Sequence, residues 1–255
     1  MHLGLVTYNV AKDWDLDTLL RICREAGIEG VEFRTTHAHG VETTLSAEQR
    51  RDVKKRCADA GLLQTSLGTI CEFQSPDPAV VRRNIETCAE FVKLAVEIGA
   101  RGVKVRPNGI PKDADLEKTL EQIGKALREC GRIAADHGVE IWMEVHGAVT
   151  QLPANSRKIM DFCGHPSVGV TWNSNGTDVT DGSVKRAFDL LGRSIRCCHI
   201  TELYSGYPYR ELFGLLNAMG YDRFTLCEAG RSIKAEDGAE YLRLYKGYWR
   251  ELQRP

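Results

Sequence analysis

His137-Gly138-Val139-Glu140-Ile141-Trp142-Met143-Glu144-Val145-His146-Gly147 contains, in immediate succession, a helix end, a strand and a polar strand terminus. Gly138 suits the left-handed backbone that closes a helix. The apolar and β-branched residues over 139–145 suit a strand, and Glu144 and His146 share one of its faces because strand side chains alternate. Upstream, an amphipathic stretch over 116–137 is long enough to be the crossover helix that two parallel strands require. One complete βα unit is legible here.

Working outward, the same order of features recurs. Short apolar runs occupy 3–7, 30–33, 62–67, 102–105, 168–172, 195–200 and 224–227 as well as 139–145, about 30 residues apart, the spacing of βα units. Amphipathic stretches over 16–26, 47–60, 78–98 and 235–249 separate them, and Gly27, Gly61, Gly99 and Gly220 stand where helices should end. Eight such runs in 255 residues predict an α/β fold, a single (β/α)8 barrel occupying residues 1–255 as one domain. A doubly wound open sheet is the alternative, but it usually carries a glycine-rich phosphate loop after an early strand, and Val6-Thr7-Tyr8-Asn9-Val10 has no glycine. On the last helix Tyr241, Tyr245, Tyr248 and Trp249 fall on one face, which predicts packing on the barrel wall, with a homo-oligomer contact as the other reading.

Composition narrows the function. A net charge of −1 creates no field that would gather a polyanion, which disfavours nucleic acid as a partner. The first residues are too β-like for a secretory signal and no run of about 18 apolar residues occurs, so a cytoplasmic protein without membrane contact is expected. Nine cysteines, an odd number without a C-x-x-C pair, read as buried thiols in a reducing compartment. Cys197 and Cys198 should point to opposite faces of their strand.

In a (β/α)8 barrel the catalytic groups stand where strands end. Here the strand ends carry Glu32 and Arg34, Lys104 and Arg106, Glu144 and His146, Asn173, His199 and Glu228. Glu144, His199 and Glu228 supply two hard oxygens and an imidazole, a set suited to one Mn²⁺, Mg²⁺, Co²⁺ or Zn²⁺, and Asn173 can add a neutral carbonyl oxygen. The other reading is a structural ion-pair network with Lys104 and Arg106. Arg34, Lys104 and Arg106 form a positive cluster suited to a sugar acid or keto acid, against which stands simple charge compensation of Glu32 and Glu144. His37 and His39 follow the second strand and could reach over the site, and Glu72 could stand at its rim. His137 and His165 read as structural. Arg231 and Ser232 lie where some barrels bind phosphate, without a glycine-rich cup.

Taken together, Gly30-Val31-Glu32-Phe33, Trp142-Met143-Glu144-Val145-His146-Gly147, Cys198-His199-Ile200 and Leu226-Cys227-Glu228 resemble the xylose isomerase-like TIM barrel superfamily over nearly the whole chain. That superfamily includes sugar phosphate isomerases and epimerases, ketose 3-epimerases, hydroxypyruvate isomerase, inosose dehydratase and endonuclease IV. The resemblance implies a divalent metal held by Glu144, a sixth-strand residue, His199 and Glu228. The sixth-strand ligand is usually Asp, followed three residues later by His; here Asn173 and Gly176 occupy those positions, which removes one negative charge and one usual substrate contact or second-metal ligand. Endonuclease IV is disfavoured because residues 62–67 supply none of the further ligands its trinuclear zinc centre needs. The implied activity is a metal-dependent isomerase or epimerase acting on a small sugar, sugar acid or related polyol. Glu144 and Glu228 would exchange a proton through an enediolate, while Lys104, His146, Arg106, Arg34 and His37 contact the substrate. A lyase or dehydratase that expels a β-hydroxyl from the same enolate is the rival enzyme, and a non-catalytic sugar-binding barrel is the rival class.

Overall fold

The computed structural model describes residues 1–254. Its elements run β1 His2–Val6, α1 Leu16–Ala26, β2 Gly30–Arg34, α2 Ala47–Asp59, β3 Leu63–Gly68, α3 Pro78–Ile98, β4 Gly102–Val105, α4 Leu116–Ala135, β5 Glu140–Glu144, α5 Pro153–Cys163, β6 Val168–Trp172, α6 Lys185–Leu191, β7 Ile195–Ile200, α7 Tyr209–Ala218, β8 Phe224–Cys227 and α8 Ala235–Leu252. Each strand pairs in parallel with the next, and β8 pairs with β1 from His2↔Phe224 to Leu5↔Cys227, so the sheet closes into the expected barrel. The open-sheet alternative is thereby excluded.

Helix limits follow local chemistry. Asp15, Ser46, Asp77 and Asp115 each accept a hydrogen bond from a first-turn amide, and Gly27 and Gly99 end α1 and α3 in the left-handed conformation. For that reason α1 and α3 begin and end where the sequence places them. The 7-residue α6 is too short to display a helical period, and sequence periodicity does not delimit it.

Two apolar layers lie on either side of the strands. The outer one, between barrel and helices, takes Leu19, Phe91, Leu127 and Cys198, while a lumen cluster holds Val6, Trp142, Cys197 and Leu226. Gly102 is required here because a Cβ on it would collide with the Trp142 ring. All nine cysteines are buried and unpaired, and Cys197 and Cys198 do face opposite ways. Tyr245 and Trp249 pack on the wall, where Trp249 Nε1 donates to Thr225 Oγ1 at 2.9 Å; Tyr248, 43% exposed, departs from that packing. Below the apolar cluster, Glu140 closes the lumen against Arg223 and Trp142, accepting from Trp142 Nε1 at 2.7 Å. Above it the lumen turns polar. Among the described residues no helix is long and apolar enough to cross a membrane.

Candidate active site

The polar layer is assembled from strand ends. Glu32 and His199 are fully buried, Lys104 is 3% exposed and Glu144 4%. Burial of four ionisable groups is costly unless they compensate one another, and they do. Lys104 Nζ donates to Glu144 Oε2 at 2.6 Å. Nδ1 of His199 stands 3.3 Å from Glu228 Oε2 and 3.8 Å from Glu144 Oε1, while its Nε2 stands 3.4 Å from Glu32 Oε2. Burial disfavours the imidazolium, but the surrounding carboxylates of Glu228, Glu32 and Glu144 outweigh it and hold His199 well above the usual histidine range. Burial likewise opposes the Glu144 carboxylate, yet Lys104 and His199 keep it well below the usual range. Glu32 is held low against burial by His199, Lys104 and Ser66.

Two irregularities in strand pairing aim these groups. Val31 pairs with Gln64 but Glu32 with Ser66, so Thr65 is an extra residue in β3, and Ser66 Oγ donates to Glu32 Oε2 at 2.6 Å. In the same way Val170 pairs with Ile195 but Thr171 with Cys197, leaving Arg196 as an extra residue in β7. Such bulges let a strand reset which side its residues face, and here Cys197 and His199 enter the lumen. Gly68 leaves room for the result: a Cβ there would lie 2.7 Å from Glu32 Oε1.

The loops above this layer carry backbone strain. Asn9, Thr36, Val149 and Ser174, which follow β1, β2, β5 and β6, all have positive φ, a conformation that costs roughly 1–3 kcal/mol per non-glycine residue. At the opposite end of the barrel Gly27, Gly61, Gly99, Gly138, Gly164 and Gly220 meet the same requirement. Strain is thus confined to the face where the polar layer opens.

A cavity of about 140 Å³ sits over that layer, lined by Tyr8, Arg34, Lys104, Arg106, Glu144, His146, Asn173 and Glu228. A groove of about 360 Å³ between α3 and α4 is larger, but its lining contains no strand residue. Of the residues expected to contact substrate, Lys104, His146, Arg106 and Arg34 are brought together at the cavity. His37 is not: it stands behind Tyr8, its Nδ1 3.2 Å from Thr7 Oγ1 and its ring stacked on the tyrosine. His39 is structural, donating from Nε2 to the Arg34 carbonyl at 2.9 Å and accepting from the Val41 amide at 3.0 Å; burial depresses it to about 4. Glu72 pairs with Arg106 at 3.0 Å, the Nδ1 of His165 accepts from the Ser167 amide, and exposed Arg231 and Ser232 do not line the cavity. Tyr8 and Ser66 are site residues that strand-end inspection passes over. For Tyr8 the signal was present, since it continues the alternation of Gly4 and Val6 into the lumen.

The donor set fits a metal ion. One ligand atom each from Glu144, His199 and Glu228 lies within 4.8 Å of the others, and among the described residues this is the one such group of three or more. Asn173 Oδ1 and His199 Nδ1 are buried and take no hydrogen bond, as expected of atoms reserved for a cation. Lys104, holding Glu144 by Oε2, leaves Oε1 on the His199 side. Of the ion-pair reading, Lys104 with Glu144 is realised, whereas Arg106 turns to Glu72.

The model of one protein family, described as xylose isomerase-like TIM barrel, matches residues 20–245. The chain belongs to that family. No curated protein sequence matches it. Among solved structures, this xylose isomerase-like barrel resembles D-psicose 3-epimerase from Clostridium cellulolyticum H10, crystallised with D-tagatose, at 15% identity and TM-score 0.85, covering 100% of both chains. It resembles 3-keto-D-glucoside 4-epimerase from E. coli at 17% identity and TM-score 0.80, covering 98% of this chain and 99% of that one. The IolI protein with a bound zinc atom aligns at 15% identity and TM-score 0.78, covering 99% and 96%. At these identities the likeness is one of fold.

Proposed function

We propose that this barrel is a metal-dependent isomerase or epimerase that moves a proton on a carbon adjacent to the carbonyl of a small sugar, sugar acid or related polyol. The observation that carries the reading is the convergence of Glu144, His199 and Glu228 beside the unpartnered carbonyl oxygen of Asn173 at the open end of the lumen. The solved relatives, two of them sugar epimerases and a third with bound zinc, agree with it.

Glu144, Asn173, His199 and Glu228 would hold the ion. When bound, a divalent cation supplies Lewis acidity that lowers the cost of negative charge on adjacent substrate oxygens. The remaining work belongs to side chains. Glu228 borders the cavity with, among the described residues, only His199 as its ionic partner, which suits it to remove the proton. Glu144, gripped by Lys104 and facing the same space, stands on the returning side. Lys104 Nζ and the unpartnered His146 Nδ1 are placed to hydrogen-bond oxygens whose charge rises as the proton leaves. Glu32 would keep the Nε2–H of His199, so that Nδ1, once it has given up its proton, would be the nitrogen offered to the ion.

The test is solvent-deuterium uptake, followed by NMR, by a panel of ketoses, keto acids and 3-keto-sugars with the manganese-loaded protein. Glu144→Gln and Glu228→Gln should each lower exchange by about 100-fold or more while leaving the fold intact. Near-normal exchange in either variant would remove that residue from the proton-transfer role, and failure to bind any of Mn²⁺, Co²⁺, Zn²⁺ or Mg²⁺ would leave the cluster a structural network.

A further inference from the structure

Three cations line the cavity, and they are not equivalent. Lys104 is committed to Glu144 at 2.6 Å and Arg106 to Glu72 at 3.0 Å. Arg34 remains. Among the described residues its guanidinium has no carboxylate partner, and its one side-chain hydrogen bond is a long 3.4 Å contact from Nη1 to the Thr35 carbonyl. Glu32, two residues earlier on the same face, has its Oε2 engaged by His199 and Ser66, keeps its buried Oε1 without a hydrogen-bond partner, and forms no ion pair with Arg34. The backbone around Arg34 is nevertheless pinned: its amide donates to Thr7 Oγ1 at 2.9 Å and its carbonyl accepts from His39. Gly68 makes room for the stem, since a Cβ there would lie 3.2 Å from Arg34 Cδ. A pinned arginine with a free planar fork, aimed into a cavity beside a cation site, is an arrangement that a neutral polyol leaves electrostatically unsatisfied.

We infer that the substrate carries a carboxylate and that Arg34 receives it, making this a site for a short sugar acid or keto acid rather than for a neutral ketose. This deepens the metal-assisted proton transfer proposed above and rests on that reading. One unpaired cation matches the single negative charge of a carboxylate better than a phosphate ester, which carries about −1.5 to −2 at neutral pH. The cavity is compact, about 140 Å³, so short ligands are the ones compared.

The experiment compares unreactive ligands of one length, threonate and threitol, by calorimetry on wild-type protein with and without manganese, and on Arg34→Met and Arg34→Lys. Threonate should bind wild type about tenfold more tightly than threitol, as a charged hydrogen-bonded pair would give. Arg34→Met should abolish that preference while leaving manganese stoichiometry unchanged, and Arg34→Lys, which keeps charge but not the fork, should fall between. Protein that takes up manganese yet binds the two ligands equally, or keeps its preference in Arg34→Met, overturns the inference and leaves the metal reading standing. Protein that takes no manganese yet shows an Arg34-dependent preference overturns the metal reading and retains this one. Tighter, Arg34-dependent binding of erythritol 4-phosphate than of threonate would overturn the carboxylate assignment in favour of phosphate.

Discussion

His199 has a different partner at each ring nitrogen, and the metal affinity of the site should depend on both. With Nε2 facing Glu32 at 3.4 Å, the outer carboxylate fixes the tautomer and ring orientation, and loss of such a partner typically costs 10- to 100-fold in affinity. Glu32→Gln keeps an acceptor but loses the charge, so its affinity for Mn²⁺ should fall by about tenfold. Asn173 is the complementary case: Asn173→Asp places an anion where a neutral carbonyl oxygen stands and should tighten binding several-fold, while Asn173→Ala should weaken it. Manganese titrations of the four proteins decide both points. Equal affinity across the Asn173 series would put that residue outside the coordination sphere, and an unchanged Glu32→Gln would reduce Glu32 to a buried counter-ion.

At the scale of elements, the segment between β6 and α6 is held by one carboxylate. Asp178 accepts from the Asn175 amide at 2.8 Å and from the Tyr207 hydroxyl at 3.0 Å, and Tyr207 in turn accepts from Trp172 Nε1. Burial pushes Asp178 up to about 7, although the Tyr207 and Asn175 hydrogen bonds work the other way. Its folded-state value therefore lies above the unfolded one. Between about pH 4 and 7 the folded chain keeps a proton that the unfolded chain releases, so stability falls as pH rises through that window and stays lower above it, by about 4 kcal/mol at full effect. Asp178→Asn preserves an acceptor for both donors and removes the titration. Urea unfolding at pH 5 and pH 8 should show wild type losing more stability than the variant by a few kcal/mol; parallel losses would mean that Asp178 is ionised throughout.

For the whole molecule, ion binding should feed into global stability, because the proposed ligands stand at the ends of β5, β6, β7 and β8 and meet only in the closed barrel. A metal that binds only the folded state at about 100 times its Kd adds about 2.7 kcal/mol, which for a chain of this size raises Tm by roughly 5–10 °C. Wild-type protein titrated with Mn²⁺ or Co²⁺ should show that rise by calorimetry, and Glu144→Gln should lose most of it. A shift of equal size in the variant would place the ion elsewhere on the molecule.

The sequence by itself determined the barrel and the end of it that matters. Strand alternation and helical periodicity are local, as are the Asp and Ser residues that cap helices and the glycines that end them, so eight strands and the longer helices between them can be read from neighbouring residues alone. The same alternation placed Glu32 with Arg34, Lys104 with Arg106 and Glu144 with His146 on common faces at the strand ends. Which charge meets which was beyond it. Glu32 and His199 are 167 residues apart, and the extra residues Thr65 and Arg196 that shift the strand register look like ordinary strand residues. Only the closed structure could give Lys104 to Glu144, Arg106 to Glu72 and His37 to Tyr8, and leave Arg34 without an ionic partner. The reason is physical: an ion pair depends on separations of a few ångströms between distant parts of the chain, and those separations exist only once the sheet has closed and its register is set.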